Sequence, residues 1–411
     1  MDFSFLIAVG AHGVGLREIR FKGQRIVYEL ALQEALAHYA GVEQLASETA
    51  YLDTMFGWKS GKLVPGWDCP SYATYTDTFC LFEHPKDFPL QRHTSGTFGG
   101  GPLSYHITKN IAFMVRTVVT VDNYDYQLTF EFGLDGAIQV LVRASGYIAW
   151  APWKGNAEDP SYGFKIRDGW SGSMHDHVLN FKLDLDINGT ANSLFKTEFT
   201  PLKRTVLWSS APINTMKLDR SFVASEDQAK IDWTSNSFAT YAVVNKAAPN
   251  QYGEYPGWKI YPSTGTSMAL TVKNSTVLAN TGNWATHPMY ALRRKDSEPM
   301  SAHTYNYYNA QQPLVDFAKF FNGESLDQQD IVVYFNLGMH HVPDTFDMPN
   351  TMFSGAQSGI TIRPQNYGNS NPSLATKQMV DISGKNVNYY GQKKPSGSLN
   401  LDATNPDLTK M

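Results

Sequence analysis

The sequence predicts a mainly β protein, a large antiparallel β-sandwich with few short helices, and three observations lead there. Apolar and polar residues alternate in short runs, as in Phe3–Val9, Gly15–Phe21, Gln24–Leu30, Asn110–Val119 and Gln127–Phe132. That is the two-residue period of a strand with one face buried. Turn signals such as Leu134-Asp-Gly136 and Ser145-Gly146 separate the runs. Aromatic residues are abundant, with 22 Tyr, 23 Phe and 9 Trp, which suits a pleated surface. Neither heptads nor a fixed-period repeat interrupts the pattern, so the 411 residues are read as one large unit over 1–411.

In chain order, three strands fill residues 1–30, and residues 31–38 are expected to form a helical turn before Tyr39-Ala-Gly41. Met1–Leu6 reads as an opening strand rather than a leader, with upstream sequence expected to be missing. Tyr51–Gly57 precedes a Gly/Pro-punctuated loop carrying Cys69. Strands recur from 103 to 151, and a Gly/Pro/Trp-rich connection over 150–173 leads to His175-Asp-His177 and a strand Val178–Asp186. More strands span 196–295. Leu314–Glu324 is expected as a short helix, and Ile331–Phe335 as a buried strand running into Gly338-Met-His-His-Val342. Residues 352–411, rich in Asn, Gly, Ser and Pro, read as an irregular C-terminal wrap.

Composition excludes several function classes. A net charge of -4 and a pI near 6.3 give no electrostatic basis for binding nucleic acid or an anionic membrane. Mean hydropathy is -0.33, and no apolar run is long enough to span a bilayer. The two cysteines, Cys69 and Cys80, fit neither CxxC redox nor zinc spacing, which leaves a local disulfide. Two N-x-S/T sequons, at Asn188 and Asn274, point with it to an extracellular or secretory compartment.

The chemistry-bearing residues cluster in three places. Thr120-Val-Asp-Asn-Tyr-Asp-Tyr126 lies between two strand-like runs, and period two puts Tyr124 and Tyr126 on one face. His175 and His177 would share one face of their strand and converge on one ion, with His340-His341 offering a third imidazole. Imidazole suits both Zn and Cu, and spacing does not choose between them. Asp184 and Asp186 share a face too; with Asp330 and the backbone carbonyls of Leu185 and Ile331 they would make an oxygen cage for Ca²⁺.

Asn123-Tyr-Asp-Tyr126, His175-x-His177 and Gly338-x-x-His341 together resemble the copper amine oxidases in residue type, order and spacing. The resemblance covers essentially the whole chain and implies the catalytic domain of that family, without its small N-terminal domains. It implies that Tyr124 is the precursor of the topaquinone cofactor, next to Asn123, and that His175, His177 and His341 are the Cu(II) ligands. It further implies that Asp53 is the catalytic base, that Tyr39 hydrogen-bonds the quinone, and that Tyr51, Phe56 and Asp122 line the substrate gate. Cys69 and Cys80 match the disulfide loop of secreted members, and Asp184–Asp186 with Asp330 and Ile331 match a structural calcium site. Phe320, Asn322 and Glu324 resemble part of a second calcium site. The expected partners are a primary amine, O₂ and a second copy of the chain in a homodimer.

Three departures stand out: Asn336 replaces a usual Thr before the third histidine, Phe346 replaces a usual Glu after it, and the small N-terminal domains are absent. They keep open a non-catalytic adhesion or scaffold homologue. A His₃ zinc hydrolase with Asp53 as base is a further alternative, but it leaves the Tyr124 motif unexplained.

Overall fold

Strand pairing dominates the chain. The structure, a computed structural model, describes residues 2–41, 50–52, 56–95, 104–267, 269–372, 379–383 and 386–390, and the helices among them are short 3-10 turns. One antiparallel layer runs Phe3–Gly10, Gly13–Phe21, Gln24–Tyr39, His175–Leu185, Ile331–His341, Met289–Arg293, each bonded to the next. The other runs Cys80–Pro85, Ile111–Val121, Tyr124–Gly133, Ile138–Gly146, Gln357–Gln365, Gly257–Ser267, Ala239–Val244, Ser193–Arg204, Ile213–Phe222. Gly257–Ser267 joins the two, because its last residues, Thr266 and Ser267, leave the second layer and pair with Gly338 and Leu337 of the first.

The main core lies between the layers and mixes Leu16, Phe181 and Phe335 with Phe130, Val140 and Ile360. On its outer face the first layer carries Leu36, Val178 and Tyr334, which pack under Trp284, Phe317 and Phe320 from the irregular segment that follows residue 268. All eleven residues of His175–Leu185 are therefore buried. Its sequence still alternates from Leu179 to Leu185, with the polar side chains of Asn180, Lys182 and Asp184 on the covered outer face.

Four expectations are corrected. Residues 31–38 belong to the long strand Gln24–Tyr39, whose Tyr39 to Leu30 pair with His175 to Leu183. Their Ala, Leu, Gln and Glu favour helix locally, and pairing with the central strand overrides that preference. Leu314–Glu324 contains one 3-10 turn, Phe317–Phe320, whose Phe317 and Phe320 are core anchors. The supposed C-terminal wrap contains the strand Gln357–Gln365 inside the second layer. Met379–Ser383 and Asn386–Tyr390 join Gln91–Ser95 and Ser104–Thr108 in a separate four-stranded sheet. Bulk composition had hidden the local β pattern Ile360-Thr-Ile362.

Ser145-Gly146 is likewise the end of a strand, with Gly146 opposite Tyr124. The turn lies at Asp122-Asn123, two residues joining Val121 to Tyr124, with Asp122 at φ 51°. Gly146 is required there, because a Cβ would stand 2.0 Å from the Asn123 carbonyl oxygen and 2.7 Å from Tyr124 Cα. Gly146→Ala should cost about 1–3 kcal/mol of stability by forcing these backbones apart; chemical denaturation checks this, and an unchanged midpoint would show that the strand ends yield freely.

Candidate metal centre

Antiparallel register brings the three imidazoles together. His175 is paired with His341 across one edge of its strand, and His177 is two residues further on the same face. One nitrogen from each of His175, His177 and His341 lies within 4.8 Å of the others, all buried. Tyr124 and Tyr126 enter from the opposite layer, on one face of Tyr124–Gly133 as period two requires. Tyr124 Oη is 3.2 Å from His341 Nδ1 and 3.4 Å from Thr351 Oγ1, and Tyr126 Oη is 2.8 Å from His177 Nδ1.

Each imidazole is fixed from behind. His175 Nδ1 donates to the Ser173 carbonyl at 2.8 Å, and the Tyr39 ring stacks on it with centroids 4.4 Å apart. His341 Nε2 meets Asp347 Oδ1 at 3.1 Å. Asp347 is itself held by a capping box: its Oδ2 accepts from Asp344 N while the Asp344 carboxylate accepts from Phe346 N. These contacts leave His175 Nε2 and His177 Nε2 buried without a hydrogen-bond partner. Buried polar atoms are normally paired, so two orphaned imidazole nitrogens converging beside a third ring fit a nitrogen-binding metal.

Electrostatics agree. Burial, and then His341, lowers the His175 pKa to about 3; burial also pushes His177 well down and His341 down. All three are therefore neutral near pH 7, the form that gives a lone pair to a metal. Burial holds the Tyr124 phenol up at about 12, so it stays protonated unless a cation arrives next to it.

The remaining expected residues fall into place unevenly. His340 points to the outer face, half exposed, with Nδ1 2.6 Å from Asp176 Oδ1. Asn123 is tied to the Tyr147 backbone, and Asp125 is exposed and accepts from Thr120. Asp122 is exposed at the hairpin turn. Arg116, on the neighbouring strand, does not pair with it and donates to Thr129 Oγ1 and to the Asp68 carbonyl. Phe56 packs in the core against Tyr126 instead of standing at an opening. Asp53 and the Tyr51 side chain lie outside the described residues. Asn336 is buried and structural, donating to the Trp284 and His287 carbonyls and accepting from Asn180. Sequence reasoning missed Asp347, Thr351 and the Ser173 carbonyl; the Asp-x-x-Asp spacing of 344 and 347 was the one available signal, as a cap.

On the outer face of the same central strand, Asp184, Asp186 and Asp330 converge within 4.8 Å, in a pocket of about 240 Å³ also lined by Arg25, Tyr28 and Arg294. Leu185 and Ile331 are the neighbouring strand residues. Asp184 is 1% exposed, and its Oδ1 has no hydrogen-bond partner. Such an oxygen set fits a hard cation. At the second expected calcium site Glu324 pairs with Lys295 at 2.5 Å and Arg293 at 3.4 Å, and Asn322 N donates to the buried Glu226; the first cluster has its own cations, Arg25 at 2.8 Å from Asp186 and Arg294 at 3.3 Å from Asp184. Cys69 and Cys80 form a disulfide, and both sequon asparagines are exposed.

A family profile described as "Copper amine oxidase, enzyme domain" matches residues 1–383. The chain belongs to the copper amine oxidase family. It is 47% identical over 401 residues to the copper amine oxidase vicK1 of Bipolaris victoriae, covering 93% of this chain and 55% of that protein. Against the copper-containing amine oxidase 3 of Bos taurus it is 31% identical, covering 98% of this chain and 53% of that one. It superposes on the crystal structure of Aspergillus nidulans amine oxidase with a TM-score of 0.91 at 44% identity, covering 97% of this chain and 56% of the other. The chain thus spans about half the length of the copper amine oxidases it matches. The profile spans all three histidines and the Tyr124 hairpin.

Two predictions follow from this geometry. Asp347→Asn should weaken metal binding roughly 10–100-fold, as loss of a ligand's outer partner does; a chelator-competition titration measures it, and unchanged affinity would remove Asp347 from the site. Burial, reinforced by Asp186 and Asp330, raises the Asp184 carboxyl from 3.8 to about 7. Without a metal, the folded chain keeps a proton that the unfolded chain has released, so stability falls as pH rises from about 4 through 7, by a few kcal/mol. Melting temperature in EGTA should therefore drop across that window and stay level in calcium. Parallel curves would exclude a cation there.

Proposed function

We propose that this chain is the catalytic domain of a primary-amine oxidase that converts RCH₂NH₂, O₂ and H₂O to an aldehyde, NH₃ and H₂O₂. The observation that carries the reading is the Tyr124 hydroxyl beside His341 Nδ1, next to the two orphaned nitrogens of His175 and His177. Copper held by these three imidazoles would supply the redox partner for oxidising Tyr124 to topaquinone, whose carbonyl accepts the amine.

The chain's own residues prepare that chemistry. Burial keeps the phenol neutral until a metal charge stands beside it. Thr351 and His341 hold the phenol oxygen, and Gly146 lets the neighbouring strand close over its backbone. Asp53 is the proposed base for the substrate Cα proton, and Tyr39, stacked on His175, the proposed partner of the cofactor oxygen. Two of the departures behind the scaffold alternative fit a working site: Asn336 serves the core, and one residue beyond Phe346, Asp347 places a carboxylate on His341. A zinc hydrolase would leave Tyr124 without a task.

Calcium at Asp184, Asp186 and Asp330 belongs to the proposal, as does a homodimer. The hairpin Ser193–Arg204/Ile213–Phe222 exposes Phe199, Leu207, Trp208, Met216 and Leu218, an apolar surface that a second copy would cover. Sedimentation at the mass of one chain would remove the dimer. Secretion with glycans on Asn188 and Asn274 is proposed from the disulfide and the exposed sequons, and a mobility shift after glycosidase treatment tests it.

Given copper and oxygen, the peptide containing Tyr124 should gain two oxygen atoms and lose two hydrogens by mass spectrometry; an unmodified peptide from copper-saturated, aerated protein would sink the oxidase reading. His175→Ala, His177→Ala and His341→Ala should each abolish the change, whereas His340→Ala should spare it. Asp53→Asn should allow the mass change yet stop turnover, and normal turnover would remove Asp53 from the mechanism. An anion at the hairpin tip would favour diamines, so Asp122→Leu should shift the kcat/KM ratio from putrescine toward benzylamine. A fixed ratio means that Asp122 is not the gate.

A further inference from the structure

We infer that Tyr126 is a positioning residue of the metal centre: its phenol oxygen accepts the Nδ1 proton of His177 and so aims Nε2 at the metal. This rests on the copper reading above and goes beyond it, because it gives the second tyrosine of the motif a role that depends on its hydroxyl.

An imidazole that gives its Nε2 lone pair to a metal carries its proton on Nδ1. At a buried position that N–H needs an acceptor, and an unmade bond there is costly. His177 is 1% exposed, and its Nδ1 lies 2.8 Å from Tyr126 Oη. Tyr124, packed closer to His177 with centroids 4.8 Å apart, has its hydroxyl turned to His341 and Thr351. The three imidazoles are thus held by three chemistries: a backbone carbonyl for His175, a carboxylate for His341 and a phenol for His177.

The arrangement has a geometric side. Tyr124 and Tyr126 are two residues apart on one strand, with ring centroids 6.2 Å apart. The strand that delivers the oxidisable ring therefore also delivers the group that orients a ligand of the oxidising metal. Tyr126 packs between Phe56 and His177 and is 2% exposed, so phenylalanine fills its place and removes only the hydroxyl.

The test is anaerobic, so that Tyr124 stays unmodified. Copper(II) is titrated into wild type and Tyr126→Phe against a chelator of known affinity, and the electron paramagnetic resonance spectrum of each loaded protein is recorded. Tyr126→Phe should bind copper roughly 10–100-fold more weakly, as does loss of other partners behind a metal ligand, with an altered copper hyperfine splitting. If the variant matches wild type in affinity and spectrum, the proposal is overturned, even if its metal-free melting is lower, since the phenol then only packs. If wild type itself binds no copper, the metal reading fails, and this inference with it.

Discussion

The site depends on one register. Gln24–Tyr39, His175–Leu185 and Ile331–His341 run side by side, so that Tyr39, His175 and His341 form a row across three strands. A slip of one residue in either outer strand would turn its contribution to the other face. Burial on both faces makes such a slip costly: the inner face of the central strand feeds the main core through Leu179, Phe181, Leu183 and Leu185, and the outer face packs Val178 under a second core. The three imidazoles are held in place by this apolar frame.

The same strand separates two kinds of polar site. Odd-numbered positions carry His175 and His177 inward; even-numbered positions carry Asp176, Asn180, Lys182 and Asp184 outward, each with its own partners. Nitrogen ligands therefore collect where the second layer can bring phenols, and oxygen ligands collect at the far end of the opposite face. The seven residue steps from His177 to Asp184 amount to roughly 23 Å at strand rise. Each chemistry gets its own environment: buried between the layers for the histidines, open to a pocket for the carboxylates.

The sequence revealed what period two and motif order can carry. The antiparallel β class, the shared face of Tyr124 and Tyr126, the convergence of His175, His177 and His341, the exclusion of His340 and the Cys69–Cys80 bridge were all legible. Contacts made across long sequence separations were not. Tyr126 meets His177 from 51 residues away, and Tyr124 meets Thr351 from 227, and no local pattern encodes either meeting. Asp347 was hidden by its place in a short cap, and the helix-forming residues 31–38 misled because their strand is buried on both faces. The ion pairs of Glu324 with Lys295 and Arg293 were equally invisible in the sequence.

The span of the central row bears on how the protein is made. Tyr124 emerges from synthesis early, whereas His341 follows 217 residues later and Thr351 later still. A nascent chain that ends before residue 341 holds two imidazoles and a phenol but no three-nitrogen cup. Pairings across such separations form late, because closing long loops has to precede the contacts that repay it. The three-imidazole cluster is thus completed only when the last strands dock, and a growing chain on the ribosome does not yet hold all three imidazoles against its own tyrosine.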